Sequence, residues 1–393
     1  MCKRGILHIM LNKIYINGYK SIKQLELELK PINILIGANG SGKSNFLSFF
    51  EFLESVYNNN IKYYVEQRGH SYKFLHKGNK HTQQISSTLY FANKNISYQF
   101  TLEENDNNSF IVKNSEIIEN NLKKDLLHNT KNMDELLNII NELVKKNNNH
   151  NISKTFDEKV TQTLYLLNEY KKDIHLIDLI KKYHFHDTGR NSPFNQFSNI
   201  EQDIFFLETT GRNLAAFLYN IRENNLETYN FILSTIQSIA PYFLDFFLQP
   251  HPNKNSDIRL LWKHKEFEQI MSATDLSDGT IRFIAIATLF LQPNLPQTII
   301  IDEPELGLHP FAIAKLAGMI KSASQQNCQV IVATQSVELL NHFEPNDVIT
   351  VDQIDGESKF KRLDNSELEH WLEDYTLGDL WQRNIINNGQ VNY

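Results

Sequence analysis

Residues 37 to 44 read Gly37-Ala38-Asn39-Gly40-Ser41-Gly42-Lys43-Ser44 and fit the pattern G-x-x-x-x-G-K-[ST]. Glycines at this spacing let successive backbone N–H groups wrap a phosphate, and a following helix N-terminus adds a favourable dipole. In such a loop Lys43 reaches the β- and γ-phosphates and Ser44 ligates Mg²⁺, while Asn45 continues the nucleotide-facing run. The flanks agree with this reading. Ile32 to Ile36 reads as a buried strand, and Asn45 to Leu53 as a helix with an apolar face. An ordinary Gly-rich turn, the bland alternative, has no need of both flanks.

A second stretch supplies carboxylates. Thr298-Ile299-Ile300-Ile301-Asp302-Glu303-Pro304-Glu305 is a hydrophobic strand that delivers Asp and then Glu at its C-terminal end. After a phosphate loop, Asp302 is placed to hold the Mg²⁺ shell and Glu303 to orient or deprotonate an attacking water. Without that loop it would read equally well as a buried strand ending in exposed acids. A third stretch, Leu276-Ser277-Asp278-Gly279-Thr280, precedes an apolar helix, and Ser277 or Asp278 suits its N-cap. A fourth strand, Gln329 to Thr334, leads to Gln335-Ser336.

The rest of the chain must position these groups. Its 393 residues allow one large α/β domain with insertions, or two domains. A hydrophobic content of 41% with 22% charged residues is that of a globular protein. The net charge of -7 argues against a generic nucleic-acid binder but leaves room for a local basic face. Cys2 and Cys328 are far apart and give neither a disulfide framework nor metal-ligand spacing, which suits a reducing, cytoplasmic setting. No apolar run approaches the ~20 residues of a membrane span, and the N-terminal apolar stretch is too short for a secretory signal.

Alternating patterns over 13–36 and 86–113 predict strands on either side of the phosphate loop. From about 115 to 200, Asn-rich breakers separate helical patterns, including Met133 to Val144 and Val160 to Ile180. Lys171-Lys172 and Lys181-Lys182 read as solvated faces. A parallel-sheet pattern returns around Asp302, and 364–393 forms an amphipathic tail with Trp371 and Trp381.

Leu-Ser-x-Gly before a helix and shortly before the acidic strand resembles the signature motif of ABC-type ATPases, in which phosphate loop and acidic strand are the Walker A and Walker B motifs. The chain is similar to the SMC/RecF/OLD-like branch of that family. The likeness extends to Ile16-Asn17-Gly18-Tyr19-Lys20-Ser21-Ile22, Asp302 to Pro310, His184 to Thr188, Gly211 to Leu218 and Leu372 to Trp381.

The resemblance implies an α/β fold: an ABC-ATPase head with an antiparallel β lobe, a parallel-sheet P-loop core and a compact helical insertion. The expected divisions are 10–114, 115–210, 211–352 and a tail from 353 to 393. It implies ATP and Mg²⁺ as cofactors. It also implies a head-to-tail homodimer in which Ser277 and Gly279 of one copy complete the site of Lys43 and Ser44 in another. Gly307-Leu308-His309-Pro310 resembles the dimer-contact loop. Gln335 stands where many relatives carry a catalytic His; it can hydrogen-bond a phosphate or water but cannot carry charge.

Gln83 or Gln84 is the candidate Q-loop residue. Arg212 is either a phosphate contact or a salt-bridge partner. About 230 residues separate Ser44 from Ser277 without sustained heptads, so a long coiled coil is not expected. The chain after Glu303 is too short to add a TOPRIM nuclease, so any nuclease effector is expected on a separate polypeptide, as in bacterial anti-phage systems. DNA is an open candidate partner and a membrane is not. Two alternatives stand beside this ATPase switch: a poorly hydrolysing scaffold and a transporter energy subunit.

Overall fold

The computed structural model describes residues 10–92, 96–120, 122–125, 175–250 and 256–386. In chain order, β1 (Leu11–Tyr19), β2 (Ile22–Glu28) and β3 (Ile32–Ile36) precede α1 (Lys43–Tyr57) and α2 (Ile61–Arg68). Then come β4 (Gln84–Phe91), β5 (Ile96–Glu104), β6 (Phe110–Glu119), β7 (Leu122–Asp125), α3 (His175–Asp178), β8 (Ile180–Tyr183) and β9 (Ser198–Asn199). Helices α4 (Leu214–Asn224) and α5 (Leu226–Ile239) lead to β10 (Phe243–Phe246), β11 (Asp257–Ile258), β12 (Leu261–His264) and β13 (Ile270–Ser272). The last portion holds α6 (Asp278–Leu291), β14 (Thr298–Asp302), α7 (Pro310–Gln325), β15 (Gln329–Thr334) and α8 (Val337–Leu340). It ends with β16 (Val348–Ile354), β17 (Glu357–Arg362), α9 (Asn365–Leu372) and α10 (Leu377–Gln382).

The chain divides into two units, one of residues 1–29 and 48–180, the other of 30–47 and 181–393. The first carries a six-stranded sheet in the order β2-β1-β4-β5-β6-β7, antiparallel throughout. Its strands alternate as half-buried strands should: Ile96, Tyr98, Phe100 and Leu102 of β5 are buried, and the residues between them are half-buried. An aromatic core fills one face. Tyr19 meets Phe49 edge-on at 5.2 Å, Phe49 stacks on Phe100 at 6.3 Å, and Phe52 stacks on Phe74 at 5.6 Å.

The second unit is built on the sheet β17-β16-β3-β15-β14-β8. Strands β16, β3, β15 and β14 run parallel, and β17 closes one edge antiparallel. Central parallel strands are covered on both faces and read as continuous apolar runs. Accordingly every residue of β3 and β15 is buried. The polar exception in β3, Asn33, donates to the Lys30 carbonyl at 2.6 Å and accepts from Arg362. Helix α6 is buried almost all round (Ile281, Phe283, Ile284, Ala285, Ile286, Ala287, Leu289, Phe290), as a central core helix must be. Leu368, Leu377 and Leu380 of the C-terminal tail join that core, and Trp371 and Trp381 pack against it.

Most of the helical patterns read in the expected insertion fall outside the described residues. Residues 126–174, with the patterns at Met133 to Val144 and Val160 to Leu167 and the pair Lys171-Lys172, lie outside the described residues. Within 115–210 the described segments include the end of β6, β7, β8 and β9. Ile180 is a correction: its helical spacing with Ile177 misleads, because Ile180 and Tyr183 are buried in β8, next to β14 in the sheet. A four-residue strand is too short to show its own period. Lys181 and Lys182, expected as solvated faces, are half-buried in that strand.

Candidate functional site

Register gathers the site in the second unit. Ile36 is paired with Thr334, and Asp302 with Ala333, so β3, β15 and β14 end at the same level. The Gly37 loop, the Gln335 turn and the Glu303 turn therefore leave the sheet side by side, at the carboxyl ends where parallel α/β sheets bind ligands. Gly37 has no room for a side chain: a Cβ there would lie 2.1 Å from the Val351 carbonyl oxygen. The loop is thereby pressed onto β16, and Ser358 Oγ donates to the Ser41 carbonyl at 2.7 Å.

Lys43 opens α1 and folds back over the loop, donating to the carbonyls of Gly37 at 2.6 Å and Ala38 at 3.0 Å. Burial pulls its ammonium below the usual lysine range, while the charges of Glu303, Asp302, Glu305 and Asp352 act in the opposite direction. Ala38, Asn39, Gly40 and Ser44 are exposed and Asn45 is half-buried; Ser41 and Gly42 are buried. Asp302 Oδ1 and Ser41 Oγ are buried without a hydrogen-bond partner among the described residues. Orphaned buried oxygens at such a loop call for a cation or a donor. With the exposed Ser44 hydroxyl nearby in the loop, the donor set is all oxygen, which fits Mg²⁺.

Gln335 joins the two motifs. Its side-chain amide donates to Asn39 Oδ1 at 2.8 Å and to Glu303 Oε1. Glu303 adopts a left-handed backbone, φ 41°, which is costly for a residue with a Cβ and is held in place by its N–H bond to the Ala333 carbonyl at 2.8 Å. Its carboxylate meets the Gln335 amide.

The segment around Ser277 is a separate construction in the same unit. Ser277 is the N-cap of α6; its Oγ accepts from the Thr280 N–H at 3.2 Å and pairs with Thr280 Oγ1 at 2.8 Å. Tyr242 Oη pairs with Thr280 Oγ1 at 3.2 Å, and its ring stacks on His264 at 5.5 Å. Gly279 abuts the loop 307–310: a Cβ there would sit 2.3 Å from the Gly307 carbonyl oxygen. Arg282 fixes that approach, donating to the carbonyls of Leu306 at 3.0 Å and His186 at 2.9 Å.

Some residues fall elsewhere. Arg212 pairs with Asp203 at 3.1 Å and with Glu208, so it is a salt-bridge residue here. Gln84 opens β4 and Gln83 immediately precedes it, in the first unit. Sequence reasoning assigned no role to Thr280, Tyr242, Arg282, Thr334 or Glu305. Glu305 was visible in the Asp-Glu-Pro-Glu run, yet an acid just past a strand reads as exposed, and its burial comes from packing.

A likeness to solved structures supports the fold. The SMC head bound to the C-winged helix domain of ScpA aligns with a TM-score of 0.58 at 14% identity, covering 92% of this chain and 99% of that one. An SMC head with an extended coiled coil bound to the C-terminal domain of ScpA, from Pyrococcus furiosus, gives 0.52 at 15% identity, with 93% and 99% covered. The tungstate uptake ATP-binding protein TupC of Campylobacter jejuni is 54% identical over 43 residues, which is 11% of this chain and 13% of TupC's length. The P-loop family model described as AAA domain, putative AbiEii toxin, Type IV TA system matches residues 32–341. With its fold that of an SMC-type ABC-ATPase head, the chain belongs to that family of P-loop ATPases.

Proposed function

We propose that this chain is an ATP-binding and ATP-hydrolysing switch of the SMC/RecF/OLD type. The observation that carries the reading is the Gln335 amide, which spans Asn39 of the phosphate loop and Glu303 of the acidic strand. In this reading the loop amides of Gly37 to Ser44 cradle the phosphates. Lys43 transfers its bonds from the Gly37 and Ala38 carbonyls to β- and γ-phosphate oxygens. Ser44 and Asp302 would hold Mg²⁺, which would neutralise phosphate charge when bound. Glu303 takes a proton from the attacking water, and Gln335 orients that water between Glu303 and the phosphate.

Ser277 and Gly279 of a second copy complete the site, so ATP holds two chains head to tail. Ser277 already presents an α6 N-terminus capped by its own hydroxyl, a suitable end for a γ-phosphate. The output is control of a separately encoded effector, a nuclease, in antiviral defence, with DNA or a phage component as the trigger. The family's description as a putative toxin of a type IV TA system supports a role in such a two-component setting. No helix among the described residues is long and apolar enough to cross a membrane.

One observation favours a second reading, a scaffold that binds ATP and hydrolyses it poorly: Gln335 occupies the Glu303 carboxylate and has no ionisable group to assist it. ATP turnover by wild type and by Glu303→Gln separates the two. Turnover in the wild type that falls in the variant, with ATP binding kept, supports the switch. ATP binding with background turnover in both establishes the scaffold. Sedimentation of Glu303→Gln with ATP·Mg²⁺ should show dimers, and a monomer under those conditions removes the composite site.

A further inference from the structure

We propose that Glu305 is a positioning residue that latches the turn after β15 and so sets the place of Gln335. The proposal rests on the ATPase reading above. Glu305 is 9% exposed, three positions beyond the strand that delivers Asp302. Its Oε1 accepts the Thr334 hydroxyl. Its other oxygen, Oε2, is buried without a hydrogen-bond partner among the described residues. Thr334 Oγ1 in turn accepts the Ser336 N–H at 2.9 Å.

Thr334 and Ser336, the residues on either side of Gln335, are thus tied, directly and through one hydroxyl, to a single buried carboxyl. The Gln335 side chain reaches Asn39 and Glu303. An acid buried this deeply carries a desolvation cost, so a merely space-filling role would be served better by an apolar side chain. What the carboxyl supplies that an apolar group cannot is an acceptor oxygen for the Thr334 hydroxyl. That bond fixes the residues flanking Gln335 relative to the Glu303 turn, because Glu305 and Glu303 belong to the same tight segment and Leu306 N–H bonds the Glu303 carbonyl at 3.1 Å. A displacement of about 1 Å at a water-orienting group lowers rates by as much as about a hundredfold.

The test is a double-mutant cycle with Glu305→Ala and Gln335→Ala, read by steady-state ATP hydrolysis in the full chain. Glu305→Ala is expected to lower kcat by about tenfold to a hundredfold with KM for ATP near the wild-type value. The double variant should be no slower than Gln335→Ala, and Glu305→Gln, which keeps a carbonyl acceptor, should restore most of the rate. Multiplicative losses, or no rescue by Gln, overturn the proposal.

If Glu305→Ala does not fold, Thr334→Ala removes one strand of the latch and takes its place in the cycle. Amide hydrogen exchange gives a second readout that needs no turnover. The Ser336 amide, bonded to the Thr334 hydroxyl, should be protected in wild type and should exchange faster in Glu305→Ala or Thr334→Ala; unchanged protection counts against the latch. A wild type that binds ATP without hydrolysing it removes the ATPase reading alone, and the exchange result then decides the latch.

Discussion

The two halves of the proposed site are built by different means. The Lys43 half is assembled from segments far apart in sequence. Its linking bonds join Gln335 to Asn39 and to Glu303, and Thr334 to Glu305. The Ser277 half is local at its centre, where one helix cap bonds Ser277 to Thr280, with Tyr242 and Arg282 bracing it from outside. The first half depends on sheet register; the second depends on a helix end that would form wherever α6 is placed. A register-dependent site has little tolerance, because its groups share hydrogen bonds. A capped helix end tolerates change and can meet a partner without rearranging.

The sharpest way to break this contrast is Lys43→Ala. It should weaken ATP binding by about a hundredfold, from the loss of a charged phosphate contact worth about 3 kcal/mol, in titrations with a fluorescent ATP analogue. The Ser277 cap is bonded to Thr280 and not to Lys43, so the α6 half should be unaffected. Glu303→Gln comes next. It should leave nucleotide binding intact and lower turnover by about 10²- to 10⁴-fold, as removal of a general base does.

Gly279→Ala tests the other half. The new Cβ would lie 2.3 Å from the Gly307 oxygen, so the 307–310 loop must shift at a cost of about 1–3 kcal/mol. ATP affinity of the single chain should hold while ATP-dependent dimerisation is lost. Loss of affinity in the monomer would show the halves to be coupled within one chain. Ser277→Ala should cost about 1 kcal/mol in denaturant unfolding through the missing cap.

The smallest effect concerns pH. Burial pushes the Glu305 carboxyl above the usual carboxylate range. A folded-state pKa above the unfolded one gives stability that is full below the unfolded value and declines as pH rises through the folded value. Glu305→Gln cannot ionise, so it should flatten that decline. The gap between the two melting curves should widen upward from about pH 4 and vanish below it. A constant gap would mean that the carboxyl titrates normally.

The contrast also explains what could be read in the chain beforehand. Local chemistry was legible: the Gly-rich loop, the acidic pair after an apolar run and the Ser277 cap are each written in consecutive residues. So were the alternating strands of the first unit, because a period of two over seven to nine residues in β1, β2 and β5 is long enough to show itself. Strand β8 was not legible, since four residues with buried Ile180 and Tyr183 suit a helix turn as well as a strand.

The sequence by itself determined which groups the proposed phosphate, Mg²⁺ and water chemistry rests on, because their spacing is fixed by covalent neighbours. The tertiary structure alone decided which of them meet. Only the pairing of Ile36 with Thr334 and of Asp302 with Ala333 brings Gln335 between Asn39 and Glu303 and buries Glu305 beneath the same turn. The reason is physical: hydrogen bonds across parallel strands carry no signature in either strand alone, and burial belongs to the packed whole.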